Sequence, residues 1–332
     1  MRYKTIDEYA CDNSYRSLMN RIGIALLMFT VLFYITNSIL IVIVPILYEF
    51  LIEIAAEITV VLLYSLAYML SFMLPALSFK YMSRSNSYRR VKLNIKLSRN
   101  VFLMIFAGIA IIRAAAFINA LLLQGISVGY PSIDTEPTLY GLVLDIIYIA
   151  LVPAICEEFL FRGVILENML PYGKTGAIVG SAVLFGIMHQ NAAQLFYAMV
   201  AGLVFAFVYT KTGSLWTGMI IHFLNNALSV ADDFILAKWG HMTYSVFYAV
   251  ELFIIVLLGV ISVLMLAKKE KRLSSNETRF KEGIYRKELP PSDDSAEHHI
   301  SRKTAITGFF APANALFMAI TAVLLILTLI LT

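Results

Sequence analysis

Long apolar stretches alternate with short polar ones along almost the whole chain. Most of the apolar runs have roughly the 20 residues that a helix needs to cross the ~30 Å hydrocarbon core of a bilayer. The pattern therefore predicts nine membrane-spanning helices. They cover residues 22–48, 58–77, 101–124, 139–158, 177–190, 192–210, 215–234, 245–267 and 309–331.

This pattern is typical of an all-α protein, a polytopic membrane helix bundle of about eight or nine transmembrane helices. Composition agrees, because 60% of the residues are hydrophobic and 14% are charged, against about 25% charged residues in soluble domains. The net charge of +4 is mild and the basic residues cluster in loops. We therefore expect the lipid bilayer as a partner and no nucleic acid.

The loops predict the orientation of the bundle. Residues 80–99 contain seven basic residues and no acidic one, and residues 268–272 are also basic. The loop 125–138 contains Asp134 and Glu136 but no basic residue. By the positive-inside rule, the protein is a multi-pass cell-membrane protein with a cytoplasmic N-terminus. Residues 268–308, which include Pro290, Pro291, His298 and His299, are expected to be a disordered cytoplasmic linker.

Charged residues interrupt the third and fourth predicted spans. Arg113 and Asp145 come at similar calculated depths, so we expect them to form a structural ion pair. Glu158 and Arg162 are four residues apart and share a helical face, which favours a second pair. Glu157 lies about 100° further around the helix, and we expect it to point at something else.

Two later spans carry histidines at helical spacing from a useful neighbour. Phe185 precedes His189 by four residues, so its ring can cover one side of the imidazole. His222 and Asn226 are also four apart and can present two polar groups together. A glutamate with two histidines suits a general base that activates water, with donors for an oxyanion.

The trio Glu157, His189 and His222 could also ligate Zn²⁺, although the chain has no His-Glu-x-x-His string. Counting helical rise places Glu157 near the inner end of the fourth span and His189 near the outer end of the fifth. For the two to meet, the helix carrying Glu157 must sit deeper, or the fifth span must start later or tilt.

Together these residues form an ordered set of three motifs. They are Glu157-Glu158-x3-Arg162, Phe185-x3-His189 and His222-x3-Asn226. In this the chain resembles the CPBP family of intramembrane proteases (CAAX proteases and bacteriocin-processing enzymes), also called the Abi family. The resemblance extends over about residues 139–232.

The resemblance implies that Glu157 and His189 activate water for peptide-bond hydrolysis. It assigns His222 and Asn226 to the oxyanion, and Glu158 with Arg162 and Phe185 to supporting roles. We expect no metal cofactor, with Zn²⁺ as the alternative. The expected organisation is an N-terminal cytoplasmic segment 1–21, N-terminal spans 22–138, a CPBP-like catalytic core 139–235, an eighth span 236–267, the linker 268–308 and a C-terminal helix 309–332.

The expected function is that of an intramembrane endopeptidase acting on a peptide or membrane protein, in maturation or in bacteriocin self-immunity. Buried charges also mark proton relays, so a membrane transporter or proton-coupled carrier is one alternative, and it makes Arg113 and Asp145 as important as Glu157. A non-catalytic immunity or scaffold protein is the other alternative, and it predicts that Glu157→Ala retains function.

Overall fold

Helices are the only regular secondary structure among the described residues. The computed structural model describes residues 6–83, 91–95, 98–123, 137–283, 300 and 302–331, and none of these forms a β-strand. The predicted all-α class is confirmed. Several residues that entered the sequence analysis lie outside the described residues: Arg84, Arg89, Arg90, Lys96, Asp134, Glu136, Pro290, Pro291, His298 and His299.

The described residues form nine helical segments, which we number in chain order. They are α1 (Ile6–Phe50), α2 (Glu53–Met82), α3 (Arg99–Leu122), α4 (Leu139–Tyr172), α5 (Lys174–Met188), α6 (Ala192–Thr212), α7 (Leu215–Gly283), α8 (Arg302–Phe309) and α9 (Pro312–Leu331).

Six of these segments are long and apolar enough to cross a membrane, and α5 and α9 contribute shorter apolar helices. The apolar part of α7, Leu215–Lys269, has 55 residues and would be about 80 Å long if straight. Gly240 interrupts it with φ 75° and ψ 176°, a left-handed backbone that glycine adopts readily. Two crossings within α7 bring the total to the predicted eight or nine.

The two halves of α7 fold back on each other at Gly240. Asp232 precedes this kink and Glu251 follows it, and in a straight helix they would be roughly 28 Å apart. Both nevertheless contact the Arg113 guanidinium on α3, at 2.5 and 2.8 Å. The expected pair between Arg113 and Asp145 is therefore wrong, because α7 supplies both carboxylates that Arg113 binds.

Helix boundaries differ from the prediction at both ends of the chain. Helix α1 already begins at Ile6, and its early residues Leu18 and Met19 are buried. Tyr15 packs its ring 5.2 Å from that of Tyr172, so this part of the expected N-terminal segment belongs to the bundle. At the other end, α7 continues to Gly283, into the segment expected to be a disordered linker.

The second half of α4 is the centre of the bundle. It contacts α2, α5, α6 and α7. Residues 160–166 are buried without interruption, on every face of the helix. Burial on every face means that neighbouring helices surround this stretch, and the charged pair Glu158–Arg162 lies inside the packed region.

Candidate active site

Two π-helical stretches flank the glutamate pair within α4. They are Ile146–Leu151 and Phe159–Leu166, with the α-helical turn Val152–Glu158 between them. π-helical turns are rare and occur frequently at functional sites. Pro153 contributes here because it has no N–H and cannot donate to the Ile149 carbonyl. That carbonyl instead accepts a hydrogen bond from Nδ2 of Asn226 at 3.1 Å.

Helix lengths bring Glu157 and His189 to one level. Helix α4 extends to Tyr172, well beyond the predicted end at Glu158, and α5 has only 15 residues, or about 22 Å. Glu157 precedes the turn at Gly173 by 16 residues, and His189 follows it by 16. In an antiparallel hairpin, equal distances from the turn give similar depth. Of the alternatives, the extension of α4 beyond Glu158 accounts for the meeting, whereas α5 begins earlier than predicted, at Lys174.

The two carboxylate oxygens of Glu157 have different surroundings. Oε1 accepts a hydrogen bond from the Tyr68 hydroxyl on α2. Oε2 lies 4.0 Å from Nε2 of His189 and 3.9 Å from Nε2 of His222, and it has no hydrogen-bond partner among the described residues. Because the side chain is only 5% exposed, this oxygen and the two imidazoles face each other in a largely enclosed space.

Glu158 has separate partners, as the helical spacing predicted. Its Oε1 accepts a hydrogen bond from Arg162 Nη1 at 2.9 Å, and both side chains are fully buried. Arg162 Nη2 donates to the Gly202 carbonyl at 3.1 Å. The guanidinium lies 4.3 Å from the centroid of the Phe185 ring and 4.9 Å from that of Phe205, so cation–π contacts replace part of its lost hydration.

His189 is held at the C-terminal end of α5. Its Nδ1 lies 2.8 Å from the Phe185 carbonyl, and since a carbonyl only accepts, Nδ1 carries a proton. The Phe185 and His189 rings are 4.9 Å apart at 72°, so the expected cover for the imidazole is present. The next residue, Gln190, has φ 52° and accepts a hydrogen bond from the Tyr34 hydroxyl at 2.8 Å.

His222 is enclosed on two sides. Its ring stacks on Phe205 with centroids 4.9 Å apart and planes at 17°. Its Nδ1 lies 3.3 Å from Glu158 Oε1. The amide of Asn226 is oriented by Ile149, through Nδ2, and by Asn225, which donates to Oδ1 at 3.2 Å.

The charges of this cluster leave one negative charge when both imidazoles are neutral, since two glutamates face a single arginine. Burying an unbalanced charge is costly. The imidazole of His222 contacts Glu158 and that of His189 faces Glu157. The cluster therefore combines carboxylates with groups that can donate or accept a proton.

The distances between Glu157 and the two histidines can be compared with those expected for ligands of a shared Zn²⁺ ion. Ligand bonds of about 2.1 Å place the donor atoms of tetrahedral Zn²⁺ roughly 3.4 Å apart. Glu157 Oε2 is 4.0 and 3.9 Å from the two imidazole nitrogens. Among the described residues, no group of three His, Cys, Asp or Glu side chains has the arrangement for a metal ion. These separations are wider than those between the ligands of tetrahedral Zn²⁺, so the three side chains in this arrangement do not fit a shared Zn²⁺.

Some residues of the site carry no sequence signal. Tyr68 comes from α2, some 90 residues before Glu157, and nothing in its surroundings distinguishes it from the other tyrosines. Gly218 also has no sequence signal, yet it packs closely against the site, because a Cβ there would lie 2.9 Å from Glu158 Oε2. Pro153, four residues before Glu157, was a visible signal, because proline within a span leaves a carbonyl for another donor.

Comparison with known proteins agrees with the motifs. Residues 139–228 match the family described as type II CAAX prenyl endopeptidase Rce1-like. Over 139 residues the chain is 32% identical to the Bacillus subtilis (strain 168) protein named "Putative membrane peptidase YdiL", which is 37% of this chain and 56% of that protein. No solved structure matches the chain. The resemblance to the CPBP family is thereby confirmed over residues 139–228, the segment that contains all three motifs.

Proposed function

We propose that this protein is an intramembrane endopeptidase that hydrolyses a peptide bond with water activated by Glu157 and His189. The observation that carries the proposal is the convergence of Glu157 Oε2 with Nε2 of His189 and of His222, at 4.0 and 3.9 Å in a buried site. A water molecule that forms hydrogen bonds of about 2.8 Å to two such atoms spans separations of this size.

Glu157 is the general base in this proposal. In the neutral tautomer of His189, Nδ1 carries the proton and donates it in a hydrogen bond to the Phe185 carbonyl. Nε2 is then free of a proton and accepts a hydrogen bond from the water. The water then donates to His189 and Glu157 at once, which orients its oxygen. As that oxygen bonds to the scissile carbonyl carbon, its proton passes to Glu157. When the carbon–nitrogen bond breaks, the proton moves on to the leaving amine.

His222 and Asn226 stabilise the oxyanion of the tetrahedral intermediate. With Nδ1 held by Glu158, a protonated His222 presents Nε2–H toward the space near Glu157. Asn226 uses one amide hydrogen on Ile149 and keeps a second for the substrate. Donors that are oriented before the reaction stabilise developing charge without reorganisation.

The expected substrate is a peptide or membrane protein presented within the bilayer, and the expected N-terminus is cytoplasmic. The transport alternative depended on Arg113 and Asp145. Arg113 is instead bound by two α7 carboxylates, which supports a structural role for it and leaves the glutamate–histidine cluster as the reactive site.

The first experiment compares protein and peptide termini in membranes from cells producing the wild type or Glu157→Gln at matched levels. We expect a set of termini that disappears in the variant. The control is Glu53→Gln, which removes an exposed carboxylate of α2 and should leave the termini unchanged. Identical termini in wild type and Glu157→Gln would overturn the proposal in favour of transport or a scaffold. A chelator should not abolish the cleavage, and loss with recovery on adding Zn²⁺ would restore the metal alternative.

A further inference from the structure

Glu157, Glu158, His189 and His222 form the glutamate–histidine cluster. Among the described residues, Tyr68 is the only side chain outside α4–α7 that forms a hydrogen bond to this cluster. It lies on α2, beyond the segment 139–228 that matches the protease family. Its hydroxyl donates to Oε1 of Glu157. Burying a tyrosine hydroxyl without a hydrogen-bond partner is costly. Among the described residues, the partner of the Tyr68 hydroxyl is Oε1 of Glu157.

The bond selects an orientation for the carboxylate. The terminal torsion of a glutamate side chain is broad, so a carboxylate without a second contact rotates and presents its oxygens variably. With Oε1 on Tyr68, the plane of the carboxylate is defined, and Oε2 faces the two imidazole nitrogens. Catalysis depends steeply on such orientation.

The phenol is itself held by its neighbours. Its ring packs 4.8 Å from that of Phe72 and 6.4 Å from that of Phe33. Phe72 is completely buried and packs 4.6 Å from Phe29 of α1. This aromatic row connects α1 and α2 to Glu157, so the N-terminal helices contribute to the geometry of the site.

We propose that Tyr68 is a positioning residue that holds Glu157 Oε1 so that Oε2 faces His189 and His222. This inference rests on the proposed peptidase function. It assigns to the N-terminal helices a part in the reaction that the matching segment alone does not contain. A chain reduced to α4–α7 would carry all three motifs and an unoriented base.

The test uses the purified full-length protein and a peptide spanning a Glu157-dependent cleavage site. Tyr68→Phe keeps the ring and removes the hydroxyl. We expect kcat to fall about tenfold, with KM within about twofold and an unchanged unfolding temperature. Its matched control is Tyr64→Phe, one turn away on the same helix, where the ring packs against Tyr148 at 5.8 Å. This control should retain wild-type kcat.

Each outcome decides the matter. Wild-type kcat in Tyr68→Phe, with Glu157→Gln inactive, would overturn the role of Tyr68 and leave the peptidase intact. If the fall in kcat of Tyr68→Phe is accompanied by a lower unfolding temperature, the contribution of Tyr68 is structural and its positioning role is overturned. The same conclusion follows if Tyr64→Phe loses as much kcat as Tyr68→Phe. Cleavage that persists in Glu157→Gln would overturn the proposed function itself.

Discussion

Glu158 Oε1 lies 3.3 Å from Nδ1 of His222, and the same oxygen accepts the hydrogen bond from Arg162 at 2.9 Å. The second glutamate therefore orients the histidine that the first one faces. Neighbouring residues of one helix point in different directions, and here that divergence separates Glu157, the proposed base, from Glu158, which contacts Arg162 and His222.

Replacing Glu158 should affect both stability and activity. Glu158→Gln leaves the fully buried Arg162 without its charge partner, and breaking a buried ion pair costs about 3–5 kcal/mol. His222 also loses its carboxylate. We expect a lower unfolding temperature in detergent micelles and loss of most cleavage.

A double variant separates the two effects. In Glu158→Gln/Arg162→Met no charge of the pair is left buried alone, so the unfolding temperature should largely recover. Cleavage should not recover, because His222 still lacks the carboxylate on Nδ1. Recovery of cleavage together with stability would contradict a role for Glu158 in orienting His222.

Gly218 should tolerate no side chain. An added Cβ would be 2.9 Å from Glu158 Oε2, and the carboxylate cannot yield easily because Arg162 and His222 hold its other oxygen. We expect Gly218→Ala to lower kcat/KM about tenfold by displacing Glu158.

The matched control is Gly176→Ala in α5, where a Cβ has no atom within 4 Å. Alanine favours helix over glycine by up to about 1 kcal/mol, so this variant should be equally active and slightly more stable. If Gly218→Ala and Gly176→Ala have the same kcat/KM, the close packing of Gly218 against Glu158 does not affect the reaction and the prediction is wrong.

Arg113 should matter for stability and not for chemistry. Arg113→Met leaves the buried carboxylates of Asp232 and Glu251 facing each other, which we expect to destabilise the bundle by about 3–5 kcal/mol. The cleavage rate per folded molecule should be that of the wild type, measured after correcting for the folded fraction.

Asp145→Asn provides the comparison, because Asp145 was the expected partner of Arg113, whose hydrogen bonds and ion pairs among the described residues are with Asp232 and Glu251. Its effect on the unfolding temperature should be much smaller than that of Arg113→Met. Equal destabilisation would favour the pairing expected from depth alone. Loss of activity in Arg113→Met at wild-type stability would favour the transport alternative.

What could be predicted from the sequence is what depends on local spacing. Runs of apolar residues determine where a helix is stable in a membrane, and each of the six long candidate spans and two shorter apolar helices overlaps at least one predicted span, with different boundaries. The pair of Glu158 with Arg162 and the contact of Phe185 with His189 also follow from residues four apart on one helix.

Only the tertiary structure determined which helices meet, at what depth and with which faces. Arg113 pairs with Asp232 and Glu251 because both halves of α7 pack against α3, and depth counted along the chain does not show which helices are neighbours. Tyr68 reaches Glu157 from a distant helix, and the extent of α4 with the shortness of α5 brings Glu157 level with His189. Helical periodicity sets neighbours within a helix, whereas contacts between helices depend on length, rotation and packing, which no single segment encodes.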